Sequence, residues 1–108
     1  MGEWETYVVR RAGRLVGAAR GRLEGDTWEI GRIMVAPDLR GQGTGRRLLE
    51  HVEAVAPPAA TSYVLFTGAA STRNLRFYKR AGYRLRPDLD GPPGAVVLSK
   101  RRRAPAAG

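Results

Sequence analysis

Short runs of aromatic, β-branched and small residues broken by turn signals fill the first third of the chain, a helical period takes over in its middle, and short apolar runs return towards its end. Residues 4–10, WETYVVR, mix aromatic and β-branched side chains and predict a strand. Arg11, Ala12, Gly13 and Arg14 carry a turn signal, and residues 15–23 continue as a second strand of small residues, so the two form an antiparallel hairpin. Glu24, Gly25 and Asp26 punctuate again before a third strand over residues 27–35. Strict alternation there puts Trp28, Ile30, Arg32 and Met34 on one face and Glu29, Gly31, Ile33 and Val35 on the other. Each face mixes apolar and polar positions, which suits a central strand covered on both sides near one end, with Glu29 and Arg32 nearer rims or clefts.

Past Pro37 the period changes. Leu48, Leu49, Val52, Val55 and Ala56 recur at helical spacing, and Pro57 and Pro58 stop that helix. Residues 61–67, TSYVLFT, are too few for an average helix and predict an interior strand. Ser71 or Thr72 caps a second helix over residues 73–81, with Leu75 and Tyr78 three apart, Phe77 and Ala81 four apart, and Gly82 in the terminating position. A short strand over 83–86, a loop over 87–94 (PDLDGPPG) and a last strand over 95–100 follow. Residues 101–108, a basic run followed by Ala and Pro, offer little to bury and are expected to be disordered. The expected organisation is one α/β domain over residues 1–100 and a basic tail over 101–108.

Between the third strand and the first helix stands Arg40-Gly41-Gln42-Gly43-Thr44-Gly45. Gly41, Gly43 and Gly45 lack Cβ atoms, so the backbone can take left-handed or tight dihedrals and let a phosphate approach its amides. The amides of Gln42 to Arg46 are then the unpaired donors of a helix start, where donors and dipole favour a pyrophosphate. Neither familiar phosphate motif fits. A P-loop needs a Lys and a hydroxyl residue after its last glycine, and a dinucleotide fingerprint needs GxGxxG and an acid about 20 residues on.

The order of apolar strand, Val35, Pro37, the RGQGTG bend and a Leu-Leu helix resembles the acyl-CoA signature of the GNAT superfamily of N-acetyltransferases. The resemblance covers residues 4–100 and implies a mixed, mostly antiparallel central sheet of about six strands with two main helices. It also implies that acetyl-CoA is the co-substrate, acetyl being preferred over longer acyl groups by family habit. In the family the pantetheine lies along the strand before the glycine turn. Carried over, Ile33, Met34 and Val35 contribute main-chain groups, and the amide of Met34 or Val35 polarises the thioester carbonyl. Arg40 stands at the family's basic or Gln position and, with Arg46 and the hydroxyl of Thr44, completes the cradle of Gly41, Gln42, Gly43 and Gly45. Residues 71–83 resemble the family's Asn, Phe-Tyr, Gly-aromatic segment, with Asn74 holding pantetheine amides, although its spacing of four from Tyr78 is shorter than the family's commonest. Members usually begin with a further strand and two helices that wall part of the acceptor pocket. Here the pocket is open, a second subunit closes it, or the sequence given starts late in a longer protein.

Acetyl transfer from a thioester to an amine needs a held thioester, an oxyanion donor, a base for the ammonium and an acid for the departing thiolate. Tyr78 is the candidate acid. A phenol near pKa ~10 transfers its proton uphill to a thiolate near ~8.5, but its hydrogen bond still relieves charge as the C–S bond breaks. Glu29, read by strict alternation onto the face of Val35, is the candidate base through a water, against the alternative of an arginine salt bridge. His51 falls on the polar face of its helix and reads as a surface residue. No His and carboxylate cluster has metal spacing, so no metal is expected.

The formal charge of +9 enters last, because its distribution matters more than its size. Lys100, Arg101, Arg102 and Arg103 supply four of those charges. The rest suits CoA, whose pyrophosphate and ribose phosphate a positive field attracts. The dispersed arginines carry no nucleic-acid motif, so nucleic acid is not the expected partner. Few acids line the predicted cleft, which disfavours a polycationic acceptor, though Glu5, Glu24, Asp26 and Glu29 could gather at one rim. With no cysteine, no signal pattern and no apolar run near 20 residues, a cytoplasmic protein off the membrane is expected. The leading function is N-acetylation of a small-molecule or peptide primary amine. The alternatives are a non-catalytic acyl-CoA-binding or regulatory module and, behind it, a basic nucleic-acid-associated protein.

Overall fold

The structure, a computed structural model, describes residues 3–39 and 41–103. Its elements follow the predicted order: β1 (Glu5–Arg11), β2 (Arg14–Glu24), β3 (Thr27–Val35), α1 (Thr44–Ala54), β4 (Ser62–Gly68), α2 (Thr72–Arg80), β5 (Arg84–Leu85) and β6 (Ala95–Arg101), with a 3-10 turn at Pro37–Leu39. The six strands form one sheet in the order β1-β2-β3-β4-β6-β5. Every pairing is antiparallel except β3 with β4, which is parallel because α1 carries the chain back across the sheet between them. The expected mixed sheet with two main helices is therefore what forms.

Cross-strand partners project to the same side, so the register fixes which residues share a face. One face carries Ala19, Trp28, Ile30, Tyr63, Leu65 and Leu98 and meets Leu48, Leu49 and Val52 of α1 and Tyr78 of α2 in a single buried cluster. Trp28 anchors it, donating from Nε1 to the Val52 carbonyl at 3.0 Å. Its ring fills the space above Gly21, where a Cβ would stand 2.1 Å from Trp28 Cζ2. Among the described residues no helix covers the opposite face, on which Met34 is 61% and Phe66 39% exposed.

The strict alternation expected of β3 does not hold. Arg20 pairs with Gly31 but Ala18 pairs with Met34, so β3 carries one residue more than β2 across this stretch. That bulge shifts the phase of every later side chain. Val35, paired with Gly17, joins Trp28 and Ile30 on the helix face, and its Cγ2 lies 3.6 Å from where a Gly45 Cβ would stand. Met34 moves to the open face, which Glu29 already shares.

The expected disorder from Arg101 is also corrected for the residues the structure describes. Arg101 pairs with Ser62 as the last rung of β6. Arg102 then donates to the carbonyls of Ala56, Pro57 and Ala60 at 2.6–3.2 Å. Those oxygens lie where α1 ends and have no intrahelical partner, which is why the guanidinium is held there. Residues 104–108 of the expected tail lie outside the described residues.

Candidate active site

β3 and β4 pair over only four rungs, from Thr27 opposite Ser62 to Ile30 opposite Leu65. Above them β3 stays with β2 as far as Val35, while β4 stays with β6 as far as Gly68. The sheet therefore opens into a cleft between the carboxyl ends of its two parallel strands. Ala36 N donates to the Val16 carbonyl at 2.9 Å, and antiparallel alternation then gives Met34 to Ala18 and turns the N–H and C=O of Val35 towards the cleft. Of the two amides expected to polarise a carbonyl, Val35 is the one left free by its ladder. Met34 is committed to β2.

The glycine bend leads into α1 beside this cleft. Gly41 and Gly43 have φ of +84° and +80°, left-handed conformations that a Cβ would strain. Gly45 has no positive φ, and a Cβ there would make ordinary contacts of 3.6 Å with Val35 and 3.7 Å with Phe77, so its backbone needs no glycine. Gly43 is the helix cap and supplies no side-chain acceptor. Arg47 N donates to Gly43 O at 3.1 Å, and the amides of Thr44, Gly45 and Arg46 precede that first helical bond. Thr44 is only 4% exposed, and its Oγ1 is sealed from solvent without a hydrogen-bond partner among the described residues.

The bend is braced from outside. Arg14, at the start of β2, grips Asp38 with two hydrogen bonds of 2.6 and 2.8 Å, and that pairing holds the Asp38 carboxyl below the usual carboxylate range. Gln42 Nε2 reaches the Asp38 carbonyl at 3.3 Å. Arg46, a candidate phosphate ligand, pairs with Glu50 at 3.1 Å on an exposed helix face, where solvent and salt keep the pair weak. Arg40 lies outside the described residues.

Across the cleft, Asn74 Nδ2 donates to Thr67 Oγ1 at 3.3 Å, tying the first turn of α2 to the end of β4. One hydrogen of the Asn74 amide is thus used within the protein. Tyr78 is 8% exposed and stands edge-on to Phe77 at 5.1 Å and to Tyr83 at 6.0 Å. Burial pushes its pKa up, which keeps the phenol protonated and able to donate. No hydrogen bond from its hydroxyl occurs among the described residues.

Glu29 departs from expectation in two ways. The bulge separates it from the face of Val35, and its Oε1 accepts from Arg22 Nη2 at 2.9 Å. The arginine pairing weighed as its alternative is the one that forms. The acids expected at one rim are each engaged within the protein: Glu24 lies 3.7 Å from the same Arg22 that holds Glu29, Glu5 accepts from Tyr7, and Asp26 from Thr61. His51 is exposed, edge-on to Tyr7 at 5.9 Å.

Sequence reasoning missed Trp4 and Arg20, which meet over Gly31 at the root of the cleft on the open face. A Cβ on Gly31 would lie 3.3 Å from the Trp4 ring and 3.5 Å from Arg20 Nε. The bulge did leave a trace. The apolar positions Trp28 and Ile30 are even-numbered while Ile33 and Val35 are odd-numbered, a break of phase in the middle of a strand.

The acetyltransferase (GNAT) domain family matches residues 2–85. An IAA acetyltransferase of Azospirillum brasilense is 37% identical over 95 residues, which cover 85% of this chain and 61% of that protein. The chain therefore spans about three-fifths of that relative's length. An IAA acetyltransferase from Bacillus cereus ATCC 14579 superposes with a TM-score of 0.76 at 25% identity, covering 90% of this chain and 77% of its own. A GNAT family acetyltransferase from Elizabethkingia anophelis, with acetyl-CoA bound, superposes with a TM-score of 0.80 at 24% identity, covering 92% and 76%. Because the family match runs through the hairpin, the parted strands, the glycine bend and both helices, the chain belongs to the GNAT acetyltransferase family.

Proposed function

We propose that the chain transfers the acetyl group of acetyl-CoA to a primary amine by direct attack in the cleft between β3 and β4. The observation that carries this reading is the head of α1. Its first turn, entered through the left-handed Gly41 and Gly43, leaves the amides of Gly45 and Arg46 without a partner among the described residues, and such donors favour an anion. The diphosphate of CoA has the charge and the acceptor oxygens to meet them, and the Elizabethkingia relative binds acetyl-CoA.

Thr44 and the amides of Thr44, Gly45 and Arg46 hold the diphosphate, with Gly41, Gln42 and Gly43 shaping the bend and Arg40 and Arg46 adding charge. Ile33 and Met34 line the cleft. The Val35 N–H donates to the thioester oxygen as negative charge develops there, an interaction worth on the order of 3 kcal/mol for a preorganised amide. Asn74 braces the α2 wall. As the N–C bond forms and the C–S bond breaks, Tyr78 donates its proton to the departing sulfur, and Glu29, released from Arg22 and acting through water, takes the proton of the ammonium. Burial raises the Tyr78 pKa, so its contribution is the hydrogen bond it donates as charge develops on sulfur more than an easy proton transfer.

The hold of Arg22 on Glu29 favours one rival, an acyl-CoA-binding module without catalysis. Two measurements separate the readings. Acetyl-CoA at 100 times its dissociation constant should stabilise the fold by roughly 2.7 kcal/mol. Thiol release with a panel of primary amines should then exceed release without amine. No stabilisation would refute the cradle, and stabilisation without amine-dependent release would favour the non-catalytic module.

A further inference from the structure

We propose that the acceptor amine carries a carboxylate, and that Arg20 is the residue that binds it. This rests on the acetyltransferase reading above and names its second substrate by chemical class.

The helix face at the root of the cleft is filled by Trp28, Ile30, Leu65 and the leucines of α1, so a second substrate can reach the thioester only from the open face. Arg20 stands on that face. It pairs across β2 and β3 with Gly31, the first residue of β3 beyond the last rung shared with β4. Because Gly31 has no side chain, the Arg20 guanidinium reaches over it, and the Trp4 ring, 4.4 Å away, holds it as a flat cation against an aromatic surface.

The charges around it are unequally served. Arg22 is likewise stacked on Trp4, at 4.6 Å, but is paired with Glu29 at 2.9 Å and lies 3.7 Å from Glu24. Arg20 has neither. Among the described residues no carboxylate pairs with Arg20, and because the Nε of both arginines is sealed from solvent without a hydrogen-bond partner, the fork Arg20 offers is that of its terminal nitrogens. A guanidinium held rigid with unused donors matches a carboxylate, which accepts two parallel hydrogen bonds. Glu29 shares this face but lies two residues before Gly31, further from Val35, and is held by Arg22.

The test uses the whole chain with CoA present. N-acetylated amino acids and their carboxamides, which differ only at the carboxylate, are titrated into the wild type, Arg20→Gln and Arg20→Lys. Acetyl transfer to the parent amino acids and amino-acid amides is measured in parallel. Wild type should prefer the acids in both assays, and Arg20→Gln should lose roughly ten- to a hundred-fold on the acids alone. Arg20→Lys, which keeps the charge but not the fork, should fall between them. Stabilisation by acetyl-CoA should be the same in all three, which separates loss of the subsite from loss of fold. Equal binding of acid and carboxamide by wild type, or equal losses on both in Arg20→Gln, would overturn the carboxylate site while leaving acetyl transfer intact. Selective acid binding without turnover would keep the site and reject the enzyme reading.

Discussion

Gly43 and Gly45 are two residues apart in one bend, yet only Gly43 has a backbone that requires glycine. At Gly43 a φ of +80° makes any Cβ strained, although nothing stands within 4 Å to clash with it. Gly43→Ala should cost about 1–2 kcal/mol of stability, the penalty for an L-residue in the left-handed region. It should also weaken acetyl-CoA binding by displacing the first amides of α1. Gly45→Ala should cost little stability, because the added methyl meets Val35 and Phe77 at ordinary distances. Urea unfolding of both variants, with and without acetyl-CoA, checks the contrast, and equal losses would mean that strain is not what fixes the bend. Tyr78→Phe keeps the buried ring and removes only the hydroxyl, so stability should hold while kcat falls roughly 10²-fold with little change in acetyl-CoA affinity. An unaltered kcat across pH would return Tyr78 to a packing role. The glycine bend was legible because its signal lies within six consecutive residues. The need for glycine at Gly21 was not, because the ring that excludes a Cβ there belongs to Trp28 on the next strand and is known only once the two are paired.

Among the elements, β3 shows where a periodic reading fails. Its span was legible to the residue, yet one extra residue between Gly31 and Met34 reversed the side of everything after it, separating Glu29 from Val35. A bulge is a property of two strands, and a pattern taken from one strand alone assumes its absence. The end of β6 failed for a related reason. Arg101 and Arg102 look like a solvated basic run, but Arg102 is needed by the carbonyls at the end of α1, more than 40 residues earlier. The turn before α1 depends in the same way on a distant strand, through the Arg14 grip on Asp38. That grip has a pH signature. The Asp38 carboxyl is held low in the folded state, so the pairing contributes fully above the ordinary carboxylate value of about 3.9 and is lost as pH falls through Asp38's lowered value. Acetyl-CoA affinity should therefore weaken on acidification in that window beyond what protonation of the ligand accounts for. Asp38→Asn should be weaker at neutral pH and lack that component. An identical acid profile in the two proteins would show that the brace does not set the bend.

For the molecule as a whole, the parallel pairing of β3 with β4 followed from a strand, a helix and a strand in succession, since only a crossover can join parallel neighbours. The insertion of β6 between β4 and β5, and the gathering of both helices on one face, had no local signal. They depend on which surfaces remain to be covered once the hairpin and α1 are in place. Charge was legible as a total but not as a field. Asp38, Glu24, Glu29, Glu50, Glu53 and Asp88 are each tied to a cation, so the net charge of +9 is expressed mainly by the arginines outside these pairs. A multiply charged anion such as acetyl-CoA meets that field before it meets any single residue. Raising salt from about 0.01 to about 0.1 M shortens the screening length from about 30 to about 10 Å, inside the dimensions of the domain. The association rate of acetyl-CoA in stopped flow should then drop by roughly ten-fold, while the dissociation rate, governed by the short contacts of the bend, changes far less. The reverse pattern, a flat association rate and a salt-sensitive dissociation rate, would mean that the excess charge plays no part in capture and that Thr44 and the helix amides act on their own.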